Sequence, residues 1–158
     1  MKRWFDYITA STKQPYLWTG SEHFGDWLGL DALSGSYKGS TREDFISTVF
    51  YAYSASLIVK AGNVLGEDVS GYEALYKKIV ETFRNTFTEY RTQTEYTLAV
   101  WFQMAEDPER VVEELAGFVE KGGCRLQTGF IGTPYLLHVS SWYGYTELAY
   151  SLLLRTEW

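Results

Sequence analysis

Apolar side chains recur at helical spacing in six successive segments, and these segments alternate between ones that are apolar nearly all round and ones with a wet face. The first places Phe45, Val49, Ala52, Tyr53, Leu57, Ala61 and Val64 on one stripe, with Ile46, Phe50 and Ile58 on a second. The next carries Tyr72, Leu75, Tyr76, Ile79, Val80, Phe83, Phe87 and Tyr90 opposite Lys77, Lys78, Glu81, Arg84 and Asn85. Residues 96–105 are apolar on most sides, whereas Val111, Val112, Leu115, Phe118 and Val119 alternate with acidic and basic neighbours. An apolar stretch over 134–142 and a final one over 146–155, with Leu148, Ala149, Leu152 and Leu153, complete the series. No segment alternates with the period of a strand, so the pattern predicts an all-α protein of stacked helix pairs, inner and outer in turn.

Local capping chemistry punctuates the same segments. Ser40-Thr41-Arg42-Glu43, Ser70-Gly71-Tyr72-Glu73 and Thr92-Gln93-Thr94-Glu95 each have the form of a capping box, in which a hydroxyl and a carboxylate satisfy two of the amides left over at a helix start. Asp107-Pro108 and Thr133-Pro134 pair a capping side chain with a proline whose fixed φ suits the first helical position. A short helix from Trp4, Phe5, Tyr7 and Ile8 is expected before Pro15, and Gly62-Asn63 or Gly66 ends the long one. In a paired-helix array the loops entering inner helices, at 16–39, 91–94 and 123–133, fall on one rim, where a site is expected.

Two of those loops have the composition of a site. Residues 16–39 mix glycine, serine and aromatics without sustained periodicity, and 126–132 are glycine-punctuated before a helix start, although glycine and proline also punctuate ordinary turns. Aromatics make up 18% of the 158 residues, including 13 tyrosines and 6 tryptophans, enough either to line a sugar cleft or to build a bulky core. A net charge of −6 with scattered Lys and Arg predicts no nucleic-acid partner. One cysteine, Cys124, and two distant histidines, His23 and His138, predict no disulfide, no metal and no cofactor. The absence of a signal-peptide core at the start points to a cytoplasmic chain, and no run is expected to reach membrane-spanning length. The length suits one domain over 1–158.

The carboxylates that would do acid or base work are Glu22, Asp26, Asp31, Glu95 and Glu147. Glu95 reads most simply as a capping-box residue, and Glu22 and Asp26 as solvated surface groups unless the aromatic loop desolvates them.

Gly25-Asp26-Trp27-Leu28, Thr92-Gln93-Thr94 and Thr128-Gly129-Phe130-Ile131-Gly132-Thr133-Pro134-Tyr135-Leu136-Leu137, in this order, resemble the catalytic domain of bacterial α-L-rhamnosidases of glycoside hydrolase family 78. Glu147-Leu148-Ala149-Tyr150-Ser151-Leu152-Leu153-Leu154 is similar to the helix that follows there. The resemblance implies part of an (α/α)6 barrel, or α/α toroid, and an enzyme that removes terminal α-L-rhamnose from glycosides with inversion. Inversion requires a general acid and a general base. In the family these lie in segments that nothing before Gly25 matches and that follow beyond Thr156-Glu157-Trp158, so no catalytic residue is carried over to this chain. The resemblance implies substrate-binding roles for Trp27 as a subsite wall, with Asp26 beside it, and for Gln93, Thr94, Gly129 and Phe130 on the same rim. The partner is then a rhamnosyl glycoside, and an open barrel edge predicts a two-fold homodimer. The alternative is a non-catalytic carbohydrate-binding or structural helical domain.

Overall fold

The computed structural model describes residues 1–19 and 22–156. Residues 20 and 21, within the expected irregular stretch, and Glu157 and Trp158, in the segment where the resemblance stops, lie outside the described residues. Among the described residues there are seven α-helices and no strand: α1 (Lys2–Ser11), α2 (Glu43–Leu65), α3 (Ser70–Thr86), α4 (Gln93–Trp101), α5 (Pro108–Lys121), α6 (Thr133–Trp142) and α7 (Thr146–Leu153). Extended pairing is limited there to two isolated bridges, Gln14 with Leu17 and Trp27 with Lys38. Two compact units emerge, one of Met1–Glu22 with Glu43–Thr88 and one of His23–Arg42 with Glu89–Trp158.

The first unit packs α1 and α3 on α2. The apolar stripes of α2 are only partly buried: Phe45, Val49 and Ala52 of the first and Ile46 and Ile58 of the second are buried, together with Tyr51 and Ala55, whereas Tyr53, Ala61 and Val64 of the first stripe are exposed. Phe45, Phe83 and Phe87 form an aromatic triangle with centroids 4.8–5.1 Å apart. Phe5 of α1 stacks on Tyr51 at 5.3 Å, and the Tyr51 hydroxyl donates to Thr9. Burial raises the Tyr51 pKa above its ordinary value. Gly62 lets the start of α3 approach, since a Cβ there would sit 2.1 Å from Val69 Cγ1. Contrary to the expectation that no run reaches membrane-spanning length, α2 is long and apolar enough by length and composition, and half of its most apolar window is buried within the unit. A core helix of a folded unit meets the same criteria.

In the second unit α4 contacts α5 and α6, and α6 contacts α7. α5 buries Val111, Val112, Leu115, Ala116 and Val119 as its amphipathic pattern requires, and Asp107 caps it by accepting from the Arg110 N–H at 3.1 Å. α4 is buried at seven of nine positions, as an inner helix should be. It ends at Trp101, short of residue 105, because the Met104 and Ala105 amides both turn back to the Ala99 carbonyl. α6 is the exception among the apolar segments. Leu136, Val139 and Ser140 are buried, but His138 is exposed and Trp142 is 67% exposed, stacked on Trp101 at 4.7 Å.

Three helix starts differ from their sequence expectation. Ser40 donates its hydroxyl to the Asp31 carbonyl, and α2 begins only at Glu43. Ser70 is the first residue of α3, its amide held by the Asp68 carboxylate, which lowers the Asp68 pKa. Thr133 is the first residue of α6, and its hydroxyl meets Thr128 Oγ1 at 2.7 Å instead of an amide. In each case another acceptor sits closer to the free amides or the hydroxyl finds a better partner, and a box in the sequence cannot register either competitor.

Candidate functional site

A folded chain buries polar side chains only where each finds partners. Ten polar or charged residues are buried among those described; nine lie in the second unit, and seven of these, Asp26, Thr41, Thr92, Gln93, Thr94, Glu95 and Thr128, belong to its helix starts and loops. No buried side-chain nitrogen or oxygen there lacks a partner. The organising element is the first turn of α4, whose residues reach in different directions.

Thr92 caps that turn, accepting from the Glu95 N–H at 3.2 Å, and its hydroxyl meets Thr41 Oγ1 at 2.8 Å. Gln93 copies a backbone strand with its amide group: Nε2 donates to the Arg125 carbonyl at 2.8 Å while Oε1 accepts from the Gln127 N–H at 3.0 Å. Thr94 donates its hydroxyl to Asp26 Oδ2. Glu95 completes only half of the expected capping box. Its carboxylate accepts from the Arg91 N–H at 2.8 Å and pairs bidentately with Arg42, Nε to Oε1 and Nη2 to Oε2, both at 2.8 Å. The guanidinium also donates to the Glu89 carbonyl. An arginine 53 positions upstream has captured the side chain that the box would use.

Asp26 ties the loops together. Besides Thr94, its Oδ2 accepts from the Gly129 N–H at 2.8 Å, and Oδ1 accepts from the amides of Ile131 at 2.8 Å and Gly132 at 3.3 Å. These amides lead into α6, which has no side-chain cap of its own. A carboxylate is an apt occupant there, because free N–H groups and the helix dipole both favour negative charge. The Asp26 carbonyl accepts from Gly29 and Gly39, and the Trp27 carbonyl accepts from Phe130 at 2.9 Å. Glycine is required at the crossing point: a Cβ on Gly129 would lie 2.4 Å from the Trp27 carbonyl oxygen, and one on Gly132 would lie 2.3 Å from Thr94 Oγ1.

What this scaffold presents to solvent is aromatic. Trp27 is half-buried, with Phe24 edge-on and Tyr37 tilted, each at 5.4 Å, and both of these rings are exposed. Phe130 is 67% exposed at the tip of its loop, with Leu28 and Leu30 also exposed on the facing loop. A cavity of about 560 Å³ in the same unit is lined by Leu30, Gln127, Thr133 and Leu137 and edged by Arg125 and Arg155. Arg155 is engaged there, donating to the carbonyls of Gly123 and Cys124.

The six residues singled out for substrate binding therefore divide into two sets. Phe130 is exposed and Trp27 half-buried, whereas Asp26, Gln93, Thr94 and Gly129 are buried and hydrogen-bonded within the frame. Among the carboxylates, Asp26 and Glu95 are buried with their oxygens occupied, so the reading of Asp26 as a solvated surface group is corrected. Asp31 is partly buried and accepts from the Ser40 N–H; burial first, then the neighbouring Asp26 and Glu95, raise its pKa. Glu22 and Glu147 are exposed. Phe24, Tyr37 and Arg42 escaped the sequence reading, although the first two stand in the same aromatic loop as Trp27. No cluster of His, Cys, Asp and Glu that could hold a metal occurs among the described residues.

Paired helices with aromatic side chains on loops above a buried polar frame define an all-α hairpin domain. The profile of the bacterial alpha-L-rhamnosidase 6 hairpin glycosidase domain matches residues 1–158, and the chain belongs to this family. It is 36% identical over 166 residues to an alpha-L-rhamnosidase of Formosa agariphila, a match covering 98% of this chain and 18% of that protein. Over 141 residues it is 30% identical to the alpha-L-rhamnosidase of Streptomyces avermitilis, covering 84% of this chain and 13% of that one. The crystal structure of a Streptomyces avermitilis alpha-L-rhamnosidase complexed with L-rhamnose superposes with a TM-score of 0.85 at 28% identity, covering 99% of this chain and 15% of that one. An alpha-L-rhamnosidase from Dictyoglumus thermophilum shares the fold, with a TM-score of 0.87 at 20% identity over 99% of this chain and 19% of that one. The all-helical architecture is that of part of an (α/α)6 barrel. The chain thus spans less than a fifth of the curated relatives' length.

Proposed function

We propose that the chain forms part of the catalytic domain of a glycosidase that hydrolyses terminal α-L-rhamnose from rhamnosyl glycosides with inversion, and that its own contribution is a wall of the sugar subsite. The observation that carries this reading is the half-buried Trp27 and the exposed Phe130, on loops joined by the Phe130 N–H to Trp27 carbonyl bond, above a frame whose buried polar atoms are all paired. A deoxysugar offers a C–H face and a methyl group that pack on aromatic rings, and a rigid platform loses little entropy on binding. Gln93, Thr94 and Gly129 act from below by fixing the two loops.

The chain supplies the wall and not the proton transfers. Inversion needs an acid and a base on opposite faces of the sugar, with room for water. Asp26 and Glu95 are committed to hydrogen bonds, which also favours a second reading, in which the isolated chain binds sugar without cleaving it.

The test is a titration of the purified chain with L-rhamnose followed by tryptophan fluorescence, beside hydrolysis of a chromogenic α-L-rhamnoside. Binding that weakens about tenfold or more in Trp27→Ala and Phe130→Ala, equal to roughly 1.4 kcal/mol or more, is expected. Binding without turnover supports the proposal; turnover that these substitutions abolish would keep the wall but overturn the statement that the proton transfers lie outside this chain. Wild-type affinity in both variants, or no binding by the wild type, overturns the proposal.

A further inference from the structure

We propose that Asp26 is a positioning residue that never touches the sugar: its carboxylate serves as the imported cap of α6 and sets Trp27 and Phe130 in register with each other. This deepens the reading of the aromatic platform as a sugar wall and rests on it. Asp26 is fully buried and receives donors from two separate parts of the chain, Thr94 in α4 and the Gly129, Ile131 and Gly132 amides before α6. The two residues that present rings are its immediate neighbours in this network. Trp27 follows Asp26 in sequence, Phe130 follows its donor Gly129, and the Phe130 N–H closes the circuit on the Trp27 carbonyl. With both oxygens occupied and no surface exposed, the carboxylate has no lone pair to offer a ligand without first releasing a loop amide.

The bonding pattern dictates what each substitution does. In Asp26→Asn, an oxygen kept toward Ile131 and Gly132 turns the NH2 group toward Thr94 and Gly129. Thr94 can rotate its hydroxyl to accept, but the Gly129 N–H cannot, so a donor faces a donor at the base of Phe130. Asp26→Ala leaves a polar pocket with four donors and no acceptor. Formate has the charge and planar shape to refill it, whereas formamide carries donors where acceptors are needed.

The experiment measures two quantities on the purified chain, wild type, Asp26→Ala and Asp26→Asn, each with and without formate or formamide. One is L-rhamnose affinity, and the other is amide hydrogen exchange at residues 129–132, which needs no ligand. The expected result is faster exchange at 129–132 in both variants, with exchange in α2 and α3 unchanged. L-rhamnose affinity is expected to fall on the order of ten- to a hundredfold, as misplacement of a binding group by about 1 Å would cause. Formate, and not formamide, restores both quantities in Asp26→Ala.

Lost affinity with unchanged exchange would overturn the proposal, because Asp26 would then be a direct ligand. Unchanged exchange and unchanged affinity would overturn it as well. If the wild type fails to bind L-rhamnose, the wall reading falls, while the exchange and its recovery with formate still decide whether Asp26 sets the loops. Should Asp26→Ala not fold, Asp26→Asn carries both measurements, with its conflict confined to Gly129.

Discussion

Replacing Arg42 with alanine tests whether the polar frame is held by a buried ion pair. The Glu95 side chain has no exposed surface, and that of Arg42 is 22% exposed. Arg42→Ala deletes two charge-assisted bonds of 2.8 Å and a third contact to the Glu89 carbonyl, while Glu95 keeps only the Arg91 and Arg42 amides. Removing one partner of a buried pair costs about 3–5 kcal/mol, because the remaining charge stays desolvated. The partial exposure of Arg42 lets water reach the edge of the gap, which puts the expected loss near the lower end, about 3 kcal/mol. For a chain of this size that lowers Tm by roughly 6–12 °C. The assay is urea and thermal unfolding of wild type, Arg42→Ala, Arg42→Met, Glu95→Gln and the Arg42→Met/Glu95→Gln double variant. Because the double variant removes the orphaned charge, it is expected to be more stable than Arg42→Met alone. A single-variant loss below about 1 kcal/mol, the range of a surface pair, would refute the argument. So would a double variant no more stable than Arg42→Met.

Gly129→Ala would drive a Cβ against the Trp27 carbonyl oxygen and the Gly29 nitrogen, 2.4 and 2.7 Å away; both are backbone atoms, so the two loops must part. A loss of about 1–3 kcal/mol or more in urea unfolding and an altered Trp27 emission are expected, and unchanged values of both would show that the loops do not cross there. Asp31 supplies a pH dependence. Its raised pKa means that the folded state disfavours the charged carboxyl. Stability therefore rises as pH falls through the folded-state pKa, and the penalty is gone below the ordinary Asp value of about 3.9. Asp31→Asn keeps an oxygen for the Ser40 N–H and loses the charge, so it is expected to exceed wild type in stability at neutral pH and to match it in acid. Parallel curves of stability against pH would contradict this.

Much of the architecture is legible in the sequence, and the places where reading failed share a cause. The stripes of α3 and α5, the first half of the main α2 stripe and the cap at Asp107 arise from residues three or four apart, and the structure keeps them, whereas Tyr53, Ala61 and Val64 farther along that α2 stripe are exposed. The boxes at Ser40 and Ser70 and the expected cap at Thr133 do not close, because Asp31, Asp68 and Thr128 compete for the groups concerned. Trp27 and Phe130 stood out in their motifs, and the structure places both at the surface of the second unit. That Asp26 and Gln93 lie beneath them was not readable, since polar residues in a glycine-rich loop have the same sequence character whether they face a ligand or a buried amide.

The sequence by itself determined the helices and the aromatic composition of the rim loop, since apolar periodicity and short-range hydrogen bonds require nothing beyond one turn of chain. Tertiary structure alone decided which polar groups are frame and which groups face solvent. The bonds that settle it join Asp26 to residues 68, 103, 105 and 106 positions away and Glu95 to one 53 positions away. A carboxylate is buried only once such distant donors converge on it, because their hydrogen bonds offset the cost of leaving water.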